Sequence, residues 1–390
     1  MQNINKGSFQ LIFMRKEVVL GIATLMGTII GAGILSLPYL VAKVGLIVGL
    51  TNILFVGLLT LMLHLFVGEI ALRTKEKHQL TGYAGIYLGK IGKEIMTITM
   101  MFSLYGALTA YVIGEGDILH AIFKTLTPFH WSLIYFAIVS IIVYRGIKST
   151  SKVELSIILL MIVAIITIAF LSHGKIDDRF VSYYDWSSFY IPYGAALFAM
   201  MGVFGVPELV EVMKNDKEKI KKAIFIGTII PVIIYLVFVT VVVGIIGTNF
   251  LDFKPHQRIA TVALGMFVQP EFALLANLFG VLAMTTSFLA LGIALTEMYN
   301  YDYKIKRTTS WIAAMAIPLI VLLLGVREFI KVVSLTGAIA DGILGTLIVI
   351  MFYRAKRRSQ RTPEFKVNVP LFFGILMGIA FIAGIILSIF

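Results

Sequence analysis

The sequence predicts an all-α integral membrane protein of eleven transmembrane helices. Hydrophobic residues fill 59% of the 390 positions and charged residues only 14%, against about 25% charged in soluble domains. The apolar residues also fall into eleven runs separated by short polar stretches: 18–40, 46–71, 95–121, 131–147, 153–172, 190–213, 223–247, 270–299, 310–326, 331–353 and 370–390. About 20 apolar residues in helix cross a hydrocarbon core. No polar block is large enough for a separate soluble domain, so 1–390 reads as one polytopic membrane unit.

The first run follows Arg15 and Lys16 and continues past Pro38 without a small-residue cleavage site. It is expected to be a retained span rather than a removed leader. The polar stretches between runs then set the orientation. Of the 33 basic residues, 25 lie in the N-terminal segment and in the stretches 73–93, 145–152, 214–222, 304–307 and 354–366. The other 8 lie in the alternate stretches. Positive charge gathers on the cytoplasmic side of membrane proteins, which predicts a cytoplasmic N-terminus and, after eleven spans, an external C-terminus. The expected location is a cell membrane, of the prokaryotic cytoplasmic type. The net charge of +12 thus records orientation. A nucleic-acid surface would collect it on one face, so membrane lipid is an expected partner and nucleic acid is not. No obligatory protein partner is evident.

Several chemistries are excluded. Without cysteine there is no thiolate nucleophile, thiolate-bound zinc or disulfide. The six histidines, His64, His78, His120, His130, His173 and His256, form no metal-binding pair at helical spacing, and no phosphate-cradling glycine loop with a lysine occurs. No paired acids stand at mid-membrane, Asp341 included. An enzyme is therefore not expected, and neither is a cofactor beyond a coupling ion. A secondary transporter or a channel remains.

Two runs carry breaks. The first reads GTIIGAGILSLP over 27–38; Gly27, Gly31 and Gly33 each weaken a helix by about 1 kcal/mol relative to alanine, and Pro38 removes a donor. Gly27 and Gly31 also fit a close helix contact. The sixth run places Gly202 five residues before Pro207, as Gly33 stands before Pro38. Matching interruptions in two halves point to an inverted-repeat transporter with its site at the bilayer midplane. The repeats are expected at about 18–172 and 190–353, with 370–390 added. Unwound backbone is tolerated there only where it lines a cavity.

Four segments together resemble the amino acid/auxin permease family: GTIIGAGILSLPY at 27–39, LFAMMG with PELVEVMK at 197–214, YGALTAYVIGEGD at 105–117 and SLTGAIADGILG at 334–345. The length and span count are similar to its bacterial hydroxy- and aromatic amino acid permeases, within the amino acid-polyamine-organocation superfamily. The resemblance implies the leucine-transporter fold, with helices 1 and 6 broken, and symport of an amino acid with Na⁺ or H⁺. It places the substrate carboxylate on the backbone N–H groups of Ala32 and Gly33, beside Gly31. The α-ammonium falls to the Thr28 carbonyl and to those of Phe198, Ala199, Met200 and Met201, next to Gly202. Phe198, Met200 and Phe204 become candidates for the side-chain pocket; each also reads as ordinary apolar packing.

For sodium, the same resemblance implies carbonyls of Gly27 and Ile30 with Ala283, Thr286 and Ser287 in the eighth run. Neutral oxygens suit a hard cation, although serine and threonine in membrane helices commonly bond back to their own helix. Proton-coupled relatives carry a lysine within the fifth span. Here the nearest is Lys152, at the edge, and the interior around Leu160 and Met161 is apolar. Sodium is the favoured ion. Protons remain the alternative, carried by Glu115, Asp117 or Glu208, because an acid within a span is a functional candidate by default; Glu208 also suits a helix first turn. Glu69 and Glu297 sit nearer the cytoplasmic ends, and His64 reads as proton-sensitive or as hydrogen-bonded packing.

No charged side chain falls within the breaks, which favours a neutral substrate, aromatic or large and apolar in view of Tyr105, Tyr111 and the nearby Phe and Met residues. Transport by alternating access is expected, with spans 1, 2, 6 and 7 rocking against the rest. A channel or facilitator would need a filter that the sequence lacks. A sensor on the same fold would add a long soluble tail, and about 17 residues precede the first span.

Overall fold

The computed structural model describes residues 16–146, 183–301 and 304–389, with single positions at 156, 159 and 163. All regular elements among them are helical. The first apolar run is split. Helix α1 (Lys16–Ile29) gives way at 30–31 to a 3-10 turn (Ala32–Ser36) and to α2 (Leu37–Val44), bent by 41°. Gly31 is extended, at φ −131° and ψ −160°, so the helix cannot pass through it. Pro38 then falls in the first turn of α2, where its missing N–H is no loss.

The chain continues through α3 (Leu46–Arg73), α4 (Leu80–Phe123) and α5 (Pro128–Arg145). The sequence leaves 73–93 as a loop, but helix begins at Leu80 and bends at Gly89, where φ is +81°. Leu80, Tyr83, Ala84 and Tyr87 are buried at the spacing of one helical face, and the Tyr87 hydroxyl meets Thr74 Oγ1 at 2.9 Å. A period-3.6 stripe inside a charged stretch gives this element.

The sixth run is split too, into α6 (Tyr193–Met200) and α7 (Gly205–Val212). After α8 (Ile220–Ile246) come two 3-10 turns and a short buried helix, α9 (Ala260–Leu264). Then follow α10 (Pro270–Tyr301), α11 (Arg307–Leu323), α12 (Phe329–Thr336), a π-helical turn (Gly337–Asp341), α13 (Gly342–Arg357) and α14 (Leu371–Ile389). Eight helical segments among the described residues are long and apolar enough to cross a membrane, nine when the bent pair α1 and α2 counts as one. Helix α11 is apolar but shorter, at 17 residues. The expected fifth span, with Lys152, Leu160 and Met161, lies outside the described residues.

Packing gathers the helices into two groups, with α13 resting on both α3 and α4. Helices α1, α3, α7 and α8 pack on one another, and α4 collects α5, α10, α11, α12 and α13. Helix α6 and the 3-10 turn lie between, against α3 on one side and α12 on the other. Phe66 of α3 stacks on Phe352 of α13 at 3.8 Å. Apolar side chains such as Ile375, Ile379, Ile382 and Ile386 of α14 are exposed while Phe381 is fully buried, the pattern of a helix with lipid on one side.

Candidate substrate and ion site

The two gaps interlock. A methyl group on Gly33 would stand 2.6 Å from Ala199 Cα, and one on Gly205 would stand 2.3 Å from Thr28 Oγ1. Contacts this close require glycine, so the backbone of one broken helix presses directly on the other.

Breaking a helix leaves polar backbone without its usual partner, and in an apolar interior each such group must be satisfied. Two side chains from neighbouring helices meet that need. The Tyr235 hydroxyl of α8 lies 2.8 Å from the Ile29 carbonyl oxygen and 3.0 Å from that of Ala199. These are the last turns of α1 and α6. The Gly202 N–H donates to His64 Nε2 of α3 at 3.1 Å. Since Nε2 accepts, the proton of this neutral ring sits on Nδ1 and points to Thr228 Oγ1 at 2.9 Å, which donates in turn to the Ile224 carbonyl at 2.8 Å. Every donor in that chain has an acceptor. The hydrogen-bonded reading of His64 is therefore the one its surroundings satisfy.

The N–H groups of Ala32 and Gly33 open a 3-10 turn, where the first donors lack an acceptor within the turn. The Gly33 carbonyl accepts from Ser36 Oγ at 2.6 Å. A Cβ on Gly31 would stand 3.1 Å from Ser287 Oγ of α10 and 3.6 Å from the Tyr111 hydroxyl of α4. Tyr111 meets the Phe198 ring edge-on at 6.4 Å. Gly31, Ser287, Tyr111 and Phe198 thus converge from four elements on one place. Ala32, Gly33, Ala199, Met200, Met201 and Gly202 are buried around it, Phe204 is half-buried, and Thr28 is exposed with its hydroxyl bonded to the Thr24 carbonyl.

Tyr105 is not brought to the breaks. Its hydroxyl meets Tyr299 at 2.8 Å and donates to the Ala313 carbonyl at 3.0 Å, and six residues of helix separate it from Tyr111, about 9 Å. Of the expected sodium ligands, Ser287 is measured against the first break, and α10 packs on the 3-10 turn. Thr286 Oγ1 bonds back to the Leu282 and Ala283 carbonyls at 2.9 and 3.2 Å. A hydroxyl that spends its proton this way keeps its oxygen lone pairs for a cation. Gly27 and Ala283 stand on the same two helices, and Ile30 opens the first break.

The acids fall in different places. Glu208 is exposed in the first turn of α7. Glu115 is fully buried, with Thr285 donating to its Oε1 at 3.0 Å. Among the described residues, Glu115 Oε2, Asp117 Oδ2 and the Tyr135 hydroxyl are buried without a hydrogen-bond partner. Asp341, at the end of the π-helical turn, is buried and accepts from Ser103 Oγ at 2.8 Å. That turn presses on α6, since a Cβ on Gly337 would stand 1.9 Å from the Gly194 carbonyl oxygen. Tyr111 and Asp341 carry faint sequence signals, an aromatic and an acid inside apolar runs. Tyr235 carries none, because nothing in a lone tyrosine reveals that two distant carbonyls will meet its hydroxyl.

Over 378 residues the chain is 22% identical to "Glutamine transporter 2" of Aliivibrio fischeri, covering 94% of the chain and 96% of that protein. It is 25% identical over 382 residues to "Tyrosine-specific transport system 1" of Haemophilus influenzae, covering 90% and 92%. The solved structure of MhsT in complex with L-phenylalanine superposes with a TM-score of 0.68 at 17% identity, over 95% of this chain and 98% of MhsT, so the two share a fold. Residues 14–390 match the model of the tryptophan/tyrosine permease family. The chain belongs to that family and is a membrane transporter of amino acids, not an enzyme.

Proposed function

We propose that the protein takes up a neutral amino acid with an aromatic or large apolar side chain by sodium symport and alternating access. The observation that carries this is the convergence of Gly31, Ser287, Tyr111 and Phe198 where the two broken helices interlock. The 3-10 turn offers N–H donors at Ala32 and Gly33 for the carboxylate, and the ammonium is assigned to the carbonyls of Thr28 and of Phe198, Ala199, Met200 and Met201, of which that of Ala199 also accepts from the Tyr235 hydroxyl. A ring edge from Tyr111 and the Phe198 side chain suit an aromatic substrate. The family and the phenylalanine-bound neighbour point the same way.

In this reading eleven spans form a 5+5 inverted repeat of the leucine-transporter kind, over about 18–172 and 190–353, with 370–390 added. The broader grouping is the amino acid/auxin permeases within the amino acid-polyamine-organocation superfamily. The N-terminus is cytoplasmic and the C-terminus external. Sodium lies among Gly27, Ile30, Ala283, Thr286 and Ser287, and α1, α3, α7 and α8 rock as a body against the helices around α4. A proton-coupled reading is favoured by one observation, the buried unpartnered oxygens of Glu115 and Asp117, because an acid so placed is costly when ionised.

A thermal-shift screen of the twenty amino acids, in sodium or choline and at two pH values, tests both. A ligand at about 100 times its Kd stabilises by roughly 2.7 kcal/mol. Tryptophan, tyrosine or phenylalanine should raise the melting temperature more in sodium than in choline. A response that depends on pH and ignores sodium would move the coupling to the acids, and no response to any amino acid would contradict the site.

A further inference from the structure

The C-terminal ends of two half-helices point at a single atom. Helix α1 ends at Ile29 and α6 at Met200, and the carbonyls of Ile29 and Ala199 both lie within 3.0 Å of Tyr235 Oη. A helix C-terminus carries a partial negative charge, and in transporters with broken helices such ends, together with unwound carbonyls, coordinate the coupling cations. Here the meeting point holds the oxygen of a neutral phenol. Tyr235 is fully buried, on an apolar helix and four residues after Pro231.

We propose that the Tyr235 hydroxyl is a built-in stand-in for a coupling cation between the two breaks. No cation then binds between the two breaks, and the sodium site proposed beside Ser287 is left as the one that couples, one cation to each substrate. This rests on the symport reading above. The hydroxyl has one proton to share between two carbonyls, so it satisfies both in part and holds the last turns of α1 and α6 at a fixed separation. His64 ties the other side of the second break to α3 in the same manner. Both ties run within the group α1, α3, α7 and α8 or to the α6 end beside it, so the breaks keep their geometry without an ion at this point.

The test counts charges. Purified protein in liposomes is loaded with ²²Na⁺ and labelled L-tryptophan or L-tyrosine, and the two fluxes are compared. The expected result is one sodium per amino acid, with a sodium dependence whose Hill coefficient is about 1. Two sodium ions per amino acid in the unmodified protein would overturn the role of Tyr235, and this measurement needs no variant. Tyr235→Phe, checked for folding by its melting temperature, removes only the hydroxyl. It should lower substrate affinity by about tenfold by leaving two buried carbonyls without a donor, and it should steepen the sodium dependence as a cation takes the vacated place. A purely structural hydroxyl would change the melting temperature alone; unchanged sodium dependence in a variant with weakened uptake would therefore also overturn the role. Uptake by the unmodified protein that ignores sodium overturns the ion assignment above instead. Tyr235 is then judged on whether Tyr235→Phe makes uptake respond to sodium.

Discussion

At the scale of single residues, the site is built from backbone more than from side chains, and the side chains that matter most are those that hold the backbone in place. Gly33 has room for hydrogen only, so Gly33→Ala must displace either Ala199 or the 3-10 turn. Uptake of labelled L-tryptophan by that variant should fall at least about a hundredfold, since small displacements at a reacting or binding centre cost that much, while the protein still inserts and purifies. Thr286→Ala removes a hydroxyl whose proton already serves its own helix. Its stability should therefore change by about 1 kcal/mol or less, and the sodium dependence of uptake should flatten; a dependence identical to that of the unmodified protein would remove Thr286 from the ion site. The residues of the first break were legible in the sequence, because glycine and proline announce unwinding. Tyr235 and His64 were not legible as ties, because their roles depend on partners elsewhere in the chain: the Gly202 amide is 138 positions from His64, and the Ile29 and Ala199 carbonyls are 206 and 36 positions from Tyr235.

At the scale of elements, the helical periods and the breaks follow from sequence, whereas pieces that depend on tertiary support do not. The amphipathic start of α4 looked like a charged loop because its apolar stripe is only two turns long. The π-helical turn at Gly337–Asp341 has no sequence signature; it forms where Gly337 lets the backbone approach α6. The segment after α13 is a third case. Arg73 and Glu69 of α3 pair at 2.6 Å, both buried, and Glu69 Oε2 accepts the Val367 N–H. Arg73 also donates to Ser359 Oγ at 3.1 Å, and its carbonyl accepts from the Gln360 and Arg361 N–H groups. Charges at 354–366 that set orientation in the sequence thus frame a strap fastened to the end of α3. Arg73→Ala leaves the Glu69 carboxylate buried and unpaired, which costs about 3–5 kcal/mol. The melting temperature should drop clearly, and proteolysis should open 358–370 first. A variant as stable and as resistant as the unmodified protein would show that the strap is held by its apolar contacts, Phe365 and Val367, instead.

At the scale of the whole molecule, the chain places the two breaks inside an apolar mass, between two groups of helices that are joined where α3 packs on α13. The group α1, α3, α7 and α8 holds both breaks through Tyr235, His64 and Thr228; the group around α4 supplies Tyr111, Ser287 and Asp341. A substrate lying between them would touch both, which is the physical requirement for a ligand to change their relative populations. The most direct measurement is accumulation of labelled L-tryptophan and L-tyrosine by the purified protein in sealed liposomes under an inward sodium gradient. The account predicts internal concentrations well above the external ones, lost when sodium is equal on both sides. Uptake that only equilibrates, or that proceeds equally without a sodium gradient, would contradict it.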